Sequence, residues 1–223
     1  MASAIQSKPR EGAEKGTPSK KGTPSKKESA SKKGSASKKG GGAPRGAGEL
    51  SRKGAPVVGI LTGSPSDLPV VLAAREVLEA LEVPCDVRVL SAHRTPSATV
   101  EYVEQARGRG LEVLIACAGM AAHLAGVVAS HTTLPVIGVP IASGALQGVD
   151  ALLSTVQMPP GVPVATVGID ASKNAAFLAA RILAGTHPEL HARLEAHLEQ
   201  SQRRYDSPDL ASPGQAASGR RRR

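Results

Sequence analysis

The chain has 223 residues, 1% aromatic residues and a formal net charge of +9, but the charge is unevenly spread. Residues 1–53 carry 14 Lys and Arg against 4 Asp and Glu, residues 54–200 carry 8 against 13, and residues 201–223 carry 6 against 2. The basic character belongs to the two ends, so it excludes no function for the acidic middle and gives no argument that the middle binds nucleic acid.

In chain order, residues 16–39 are four hexads, each ending in Lys-Lys, with almost no apolar side chain. Such a segment buries too little surface to offset its chain entropy, which predicts disorder over residues 1–53. The paired lysines read either as contacts to the phosphates of nucleic acid or another polyanion, although no aromatic residue is interleaved to stack on bases, or as a solubilising extension with no partner. Neither a signal-peptide core nor an apolar run of about 18 residues is present, which predicts a cytoplasmic protein with no membrane contact. Cys85 and Cys117 sit in apolar or strand-like runs and read as buried thiols rather than a disulfide.

From Pro56 onward, short β-rich runs alternate with segments of helical period, the pattern of a parallel sheet covered by helices. Strands are expected at Val57–Thr62, Cys85–Leu90, Glu112–Cys117, Pro135–Val139 and Pro163–Val167. Helices are expected near 67–82, 95–108, 120–131, 149–156 and 171–184. In the first of these, Leu68, Val71, Leu72, Leu78 and Leu81 form the stripe expected to face the sheet. The domain is read as 54–186, followed by a helix at 187–204 with Leu190, Leu194 and Leu198 at i, i+4, i+8, and by a basic tail at 205–223.

In open α/β sheets, ligands bind beyond the carboxyl ends of the strands. Three loops meet that condition: Gly63-Ser64-Pro65-Ser66-Asp67, Ser91-Ala92-His93-Arg94 ahead of a Thr95-Pro96 helix start, and Ala118-Gly119-Met120-Ala121-Ala122-His123. The hydroxyls of Ser64 and Ser66, the Asp67 carboxylate and the amides entering a helix suit a ribose phosphate. The same residues also suit an ordinary turn with Asp67 as N-cap. Arg94 favours the phosphate, since a guanidinium holds one through two parallel hydrogen bonds. His93 reads either as a proton carrier near neutral pH or as an ordinary polar surface residue of the loop. His123 is read either as part of the site or as satisfying a helix N-terminus. His187 and His191 are four apart but lack a third ligand, so no metal site is expected.

Four segments occur in the order and spacing of one family: Gly63-Ser64-x-Ser66-Asp67, Ser91-Ala92-His93-Arg94-Thr95-Pro96, Ala121-Ala122-His123-Leu124 and Gln157-Met158-Pro159-x-Gly161-Val162-Pro163-Val164. The chain resembles the class I N5-carboxyaminoimidazole ribonucleotide mutases over roughly residues 56–184. That resemblance implies a flavodoxin-like three-layer sandwich, with a parallel five-stranded sheet of order 2-1-3-4-5 and a C-terminal helix, assembled as a homo-octamer. It implies a step of de novo purine synthesis, a nucleotide substrate, and neither metal nor organic cofactor. It also implies that His93 is catalytic and that Ser64, Ser66, Asp67, Ser91, Arg94, Gly119 and His123 bind substrate.

The related class II enzymes carboxylate aminoimidazole ribonucleotide directly; they carry Lys after the loop histidine and lack Ala-Ala-His-Leu, so Arg94 and His123 favour class I. A carboxylase of the same fold acting on another nucleotide, such as a pyridine mononucleotide, would lack the Ser-Ala-His-Arg-Thr-Pro loop. Two residues depart from the class I pattern: Met120 stands where the family usually has Gly, and Ala125 where it has Pro. Met120 is expected to narrow the pocket or alter substrate preference, and Ala125 to loosen a turn.

Overall fold

The computed structural model describes residues 55–206. The Lys-rich segment 1–53 and all but the start of the segment 205–223 lie outside the described residues. Five strands form one parallel sheet: β1 (Val58–Thr62), β2 (Cys85–Val89), β3 (Val113–Gly119), β4 (Val136–Ile141) and β5 (Ala165–Thr166). Their order is β2-β1-β3-β4-β5, as expected of a flavodoxin-like sheet. Six α-helices surround it: α1 (Leu68–Ala80), α2 (Pro96–Ala106), α3 (Leu124–Ser130), α4 (Val149–Val156), α5 (Ser172–Ala184) and α6 (Pro188–Tyr205).

The central strands are apolar on both faces because helices cover both. Val113, Ile115 and Cys117 of β3, with Ile137, Val139 and Ile141 of β4, face a core closed by Val71, Ala74 and Leu78 of α1 and the alanines of α5. Leu61, Leu114, Ala116 and Val136 point the other way, onto Tyr102 and Val103 of α2 and Leu124, Ala125 and Val128 of α3. The core is aliphatic and fine-grained, and at Gly138 a Cβ would stand 2.3 Å from Thr155 Cγ2 and 2.9 Å from Val164 Cγ1. Glycine there lets α4 and the chain entering β5 close onto the sheet.

Several local expectations differ from the structure. Leu72 is 41% exposed, and the inward stripe of α1 runs through Val71, Ala74, Leu78 and Leu81. Burial of Ala74 brings α1 close to the sheet, and Leu72 lies one helical step off that line. Strand β5 has two residues rather than five, because Pro163 has no amide hydrogen to donate and Gly161 turns the chain at φ +92°. The pairing continues as single bonds, with Val167 N donating to Gly138 O at 3.1 Å and Asp170 N to Pro140 O at 2.9 Å. Helix α3 starts at Leu124 rather than 120, because Met120 is left-handed at φ +55°. Ala125 sits inside α3 and is buried, so it fills core space rather than loosening a turn.

The last helix packs on its own domain. Leu190 is fully buried and Leu194 packs against the core, while Leu198 is half exposed. His187 anchors its start, with Nε2 3.2 Å from the Glu112 carboxylate, and Arg193 donates to Leu81 O at 3.0 Å and pairs with Glu82 at 2.8 Å. At the sheet edge, Asp86 of β2 accepts hydrogen bonds from Arg109 at 2.6 Å, Arg88 at 3.0 Å and Tyr102 at 3.1 Å. Burial alone would raise the Asp86 pKa, but these three donors together bring it below the usual carboxylate range. No helix among the described residues is long and apolar enough to cross a membrane.

Candidate active site

The carboxyl ends of β1, β2, β3 and β4 open onto one rim, and their loops carry the polar residues. After β1 the chain leaves its apolar run at Thr62, then forms a 3-10 turn at Pro65–Asp67 capped by Ser64, whose Oγ accepts from Ser66 N at 3.3 Å. Ser64 Oγ and Ser66 Oγ are 2.7 Å apart, and Ser66 Oγ donates to Asp67 Oδ1 at 3.0 Å. Asp67 stands at the N-cap position of α1 but makes no side-chain cap bond. Its other oxygen lies 3.4 Å from the buried Thr62 hydroxyl, so the carboxylate is held over the loop with hydroxyls on both sides.

The loop after β2 is wound into a tight turn. Thr95 N donates to Ser91 O at 2.8 Å, and the Thr95 hydroxyl, rather than capping α2, accepts from Ser91 N at 2.9 Å and donates to Ser91 O at 3.2 Å. Thr95 thus closes the turn that displays His93 and Arg94, and Pro96 occupies the first helical turn as expected. Ser91 is buried, and its Oγ accepts from both Arg94 N and Arg94 Nε at 3.2 Å. The Arg94 guanidinium then reaches the Gly63 carbonyl through Nη2. The guanidinium therefore links the first and second loops, beside the Ser64, Ser66 and Asp67 cluster.

The loop after β3 brings the second histidine. Gly119 ends the strand in register with Ile141, and a Cβ there would stand 2.3 Å from Ser143 Oγ. That close approach is what glycine permits, and it seats the third loop on the 142–148 segment after β4. Ala122 N donates to Ser154 Oγ at 3.1 Å, which ties the loop to α4. His123 lies at the N-cap position of α3 but makes no side-chain cap bond. Instead its Nδ1 is 2.8 Å from His93 Nε2, with the rings edge-on at 83°.

The structure therefore brings together Ser64, Ser66 and Asp67, joins Ser91 and Arg94 to them through Gly63, and pairs His93 with His123. Gly119 ends β3 and lies against Ser143. Sequence reasoning missed Thr62 and Ser143; the signal for Thr62 was a lone hydroxyl closing an apolar strand, while Ser143 had none. It also missed Asp170, whose Oδ1 accepts from Ala142 N at 2.9 Å and fixes the exit of β4. Beneath the rim, burial and the Asp67 carboxylate push the Cys117 thiol up to about 12, so it stays neutral and is no nucleophile. Burial likewise raises the half-buried Cys85. Among the described residues, no group of three or more His, Cys, Asp or Glu side chains is placed to hold a metal ion.

This paired-histidine rim sits on a chain whose residues 57–204 match the family model described as AIR carboxylase. The chain belongs to the AIR carboxylase family. Family members include the N5-carboxyaminoimidazole ribonucleotide mutase of Pyrococcus abyssi, 57% identical over 150 residues that cover 67% of this chain and 86% of that protein. The mutase of the same name from Mycobacterium tuberculosis is 55% identical over 141 residues, covering 63% of this chain and 81% of that protein. A crystal structure of PurE from Treponema denticola, 28% identical, superimposes with a TM-score of 0.65 over 71% of this chain and 99% of that one. The match in the family ends at 204, so α6 lies within it and the Lys-rich segment does not.

Proposed function

We propose that this chain interconverts N5-carboxyaminoimidazole ribonucleotide and 4-carboxyaminoimidazole ribonucleotide, an isomerase step of de novo purine synthesis. The relatives named for this mutase support the reaction. The observation that carries the site assignment is the His93–His123 hydrogen bond next to an arginine-and-hydroxyl cluster suited to a ribose phosphate. Direct carboxylation of aminoimidazole ribonucleotide is less well supported, because Arg94 and His123 follow the class I pattern.

The chemistry requires one proton to change places. The carbamate C–N bond breaks, its electron pair stays on nitrogen, and nitrogen takes a proton while carbon dioxide leaves. The electron-rich C4 then attacks carbon dioxide, and C4 gives up its proton to restore the aromatic ring. Overall a proton moves from C4 to nitrogen and a carboxyl group moves the opposite way, with no change of oxidation state. His93 fits both transfers, acid first and base second.

His123 gives a physical basis for that alternation. With Nε2 of His93 bonded to His123, Nδ1 is the nitrogen left for substrate. When Nε2–H donates to His123 Nδ1, His93 Nδ1 is a base; when His123 donates instead, His93 carries its proton on Nδ1 and is an acid. Taking the substrate proton at Nδ1 while passing the Nε2 proton across the 2.8 Å hydrogen bond to His123 turns the base form into the acid form, and the reverse relay, with Nδ1 giving its proton to substrate, restores the base. Ser64, Ser66, Asp67, Ser91 and Arg94 would hold the ribose phosphate, with Arg94 exchanging the Gly63 carbonyl for phosphate oxygens.

Self-association accompanies this reading. Leu146, Val149, Leu153 and Val156 put a mostly apolar stripe on the outside of α4 and its entry, with Leu153 53% exposed and Leu146 60% exposed. Contiguous apolar surface of this kind favours an oligomer, and the octamer implied by family resemblance is the assembly we propose, in the cytoplasm. The Lys-rich residues 16–39 add the chemistry for a polyanion partner. Purified full-length protein given each nucleotide in turn, with carbamate loss and C4 carboxylation followed separately, tests the function: formation of the 4-carboxy product from the carbamate without ATP supports it.

A further inference from the structure

We propose that Met120 determines how well the site retains carbon dioxide, its side chain acting as an apolar shutter between the third loop and the 142–148 loop. The inference rests on the mutase reading above. Met120 is a non-glycine residue at φ +55°, a conformation that costs an L-residue free energy and that glycine adopts freely. Its side chain is 60% exposed, so core packing does not account for it.

Its surroundings point to a covering role. Met120 lies between Gly119, which seats the loop on Ser143, and Ala121 to His123, which deliver the second histidine. The Met120 Cγ stands 3.9 Å from where a Cβ on Gly144 would be, so the side chain leans across to the opposite loop. That loop turns through Gly144, Gln147 and Gly148, all at positive φ, and Gln147 Nε2 clamps the Gly144 carbonyl at 2.7 Å. Its tip carries Leu146, a second large apolar side chain facing outward. Two exposed apolar groups thus stand on loops that meet at Met120 and Gly144, with Met120 three residues from His123.

Carbon dioxide has no hydrogen to donate and no charge, so between the two half-reactions little but walls can hold it. Excluding water and closing the exit are what retain it. A thioether suits the task because it is apolar, unbranched and adaptable, and it offers no proton or nucleophile to the trapped molecule. When the shutter fails, carbon dioxide exchanges with solvent and aminoimidazole ribonucleotide is left behind.

The test uses the full chain, 4-carboxyaminoimidazole ribonucleotide and ¹³C-bicarbonate, with mass spectrometry reading label in the 4-carboxyl group against the rate of interconversion. Met120→Gly is expected to raise label entry per turnover about tenfold, while Met120→Leu stays near the wild type. Because glycine relieves the backbone strain, Met120→Gly should melt no lower than the wild type, and a lower melting point would assign Met120 a structural role and overturn the proposal. A wild type that interconverts the nucleotides, with Met120→Gly gaining no label, overturns the shutter alone. A wild type with no interconversion overturns the mutase reading itself.

Discussion

His93 Nε2 and His123 Nδ1 lie 2.8 Å apart with their rings edge-on, although 30 residues separate them in sequence. Two neutral imidazoles can share that bond only if one donates and the other accepts, and two imidazolium rings cannot share it at all. The pair therefore works with at most one extra proton. His123→Phe removes the partner that sets the His93 tautomer, and is expected to lower kcat about 10²-fold with a smaller effect on KM. His123→Asn, which can still accept from or donate to Nε2, should recover part of the loss. The pH profile of kcat should narrow or shift in His123→Phe, a readout that a purely structural role would leave unmoved.

Arg94 spans two loops through Ser91 and the Gly63 carbonyl. Arg94→Ala should raise KM by roughly 10- to 100-fold, the worth of a charged hydrogen-bond donor to phosphate, and Arg94→Lys should fall between because it loses the planar fork. Steady-state kinetics with the ribonucleotide and with its dephosphorylated ribonucleoside separates the causes. The penalty of Arg94→Ala should largely vanish for the ribonucleoside.

Far from the rim, Asp86 gathers Arg109, Arg88 and Tyr102 at the sheet edge, and its pKa is lowered in the folded state. A lowered folded pKa means that its contribution is present above the unfolded value near 3.9 and is lost as pH falls through the folded value. Asp86→Asn should therefore destabilise the protein by about 1–3 kcal/mol at pH 7. Urea unfolding at pH 7 and at successively lower pH should show the gap between wild type and variant closing below about pH 4. A gap that stays constant across this range would assign the role to shape rather than charge.

The five strands and the helices between them were legible because apolar runs of strand length alternate with helical stripes, the strand order came from the family resemblance, and α4 and α5 begin and end within a residue of expectation. Periodicity was less informative where the residues are small. It assigned Leu72 to the core by hydrophobicity, when Ala74 holds that place by closeness of approach. The β5 region read as a full strand because valines mark it, yet Pro163 and Gly161 cut the ladder to two residues.

At the site, the loops could be placed from the sequence but their internal bonds could not. The use of Thr95 on Ser91 rather than on α2, and the aim of His123 at His93 rather than at its own helix, are set by loop backbone angles that no residue spacing encodes. Met120 is the sharpest case. Its left-handed backbone delays α3 to Leu124, a shift that a helical reading of residues 120–131 did not anticipate.

The central claim is that His93 carries the proton in both halves of a carboxyl migration. Its most direct measurement is the turnover of purified His93→Asn on N5-carboxyaminoimidazole ribonucleotide, alongside nucleotide binding by calorimetry. Turnover should fall about 10²- to 10⁴-fold, the usual worth of a positioned acid–base group, while ribonucleotide affinity stays within a few fold of the wild type. Near-normal turnover in His93→Asn would contradict the account.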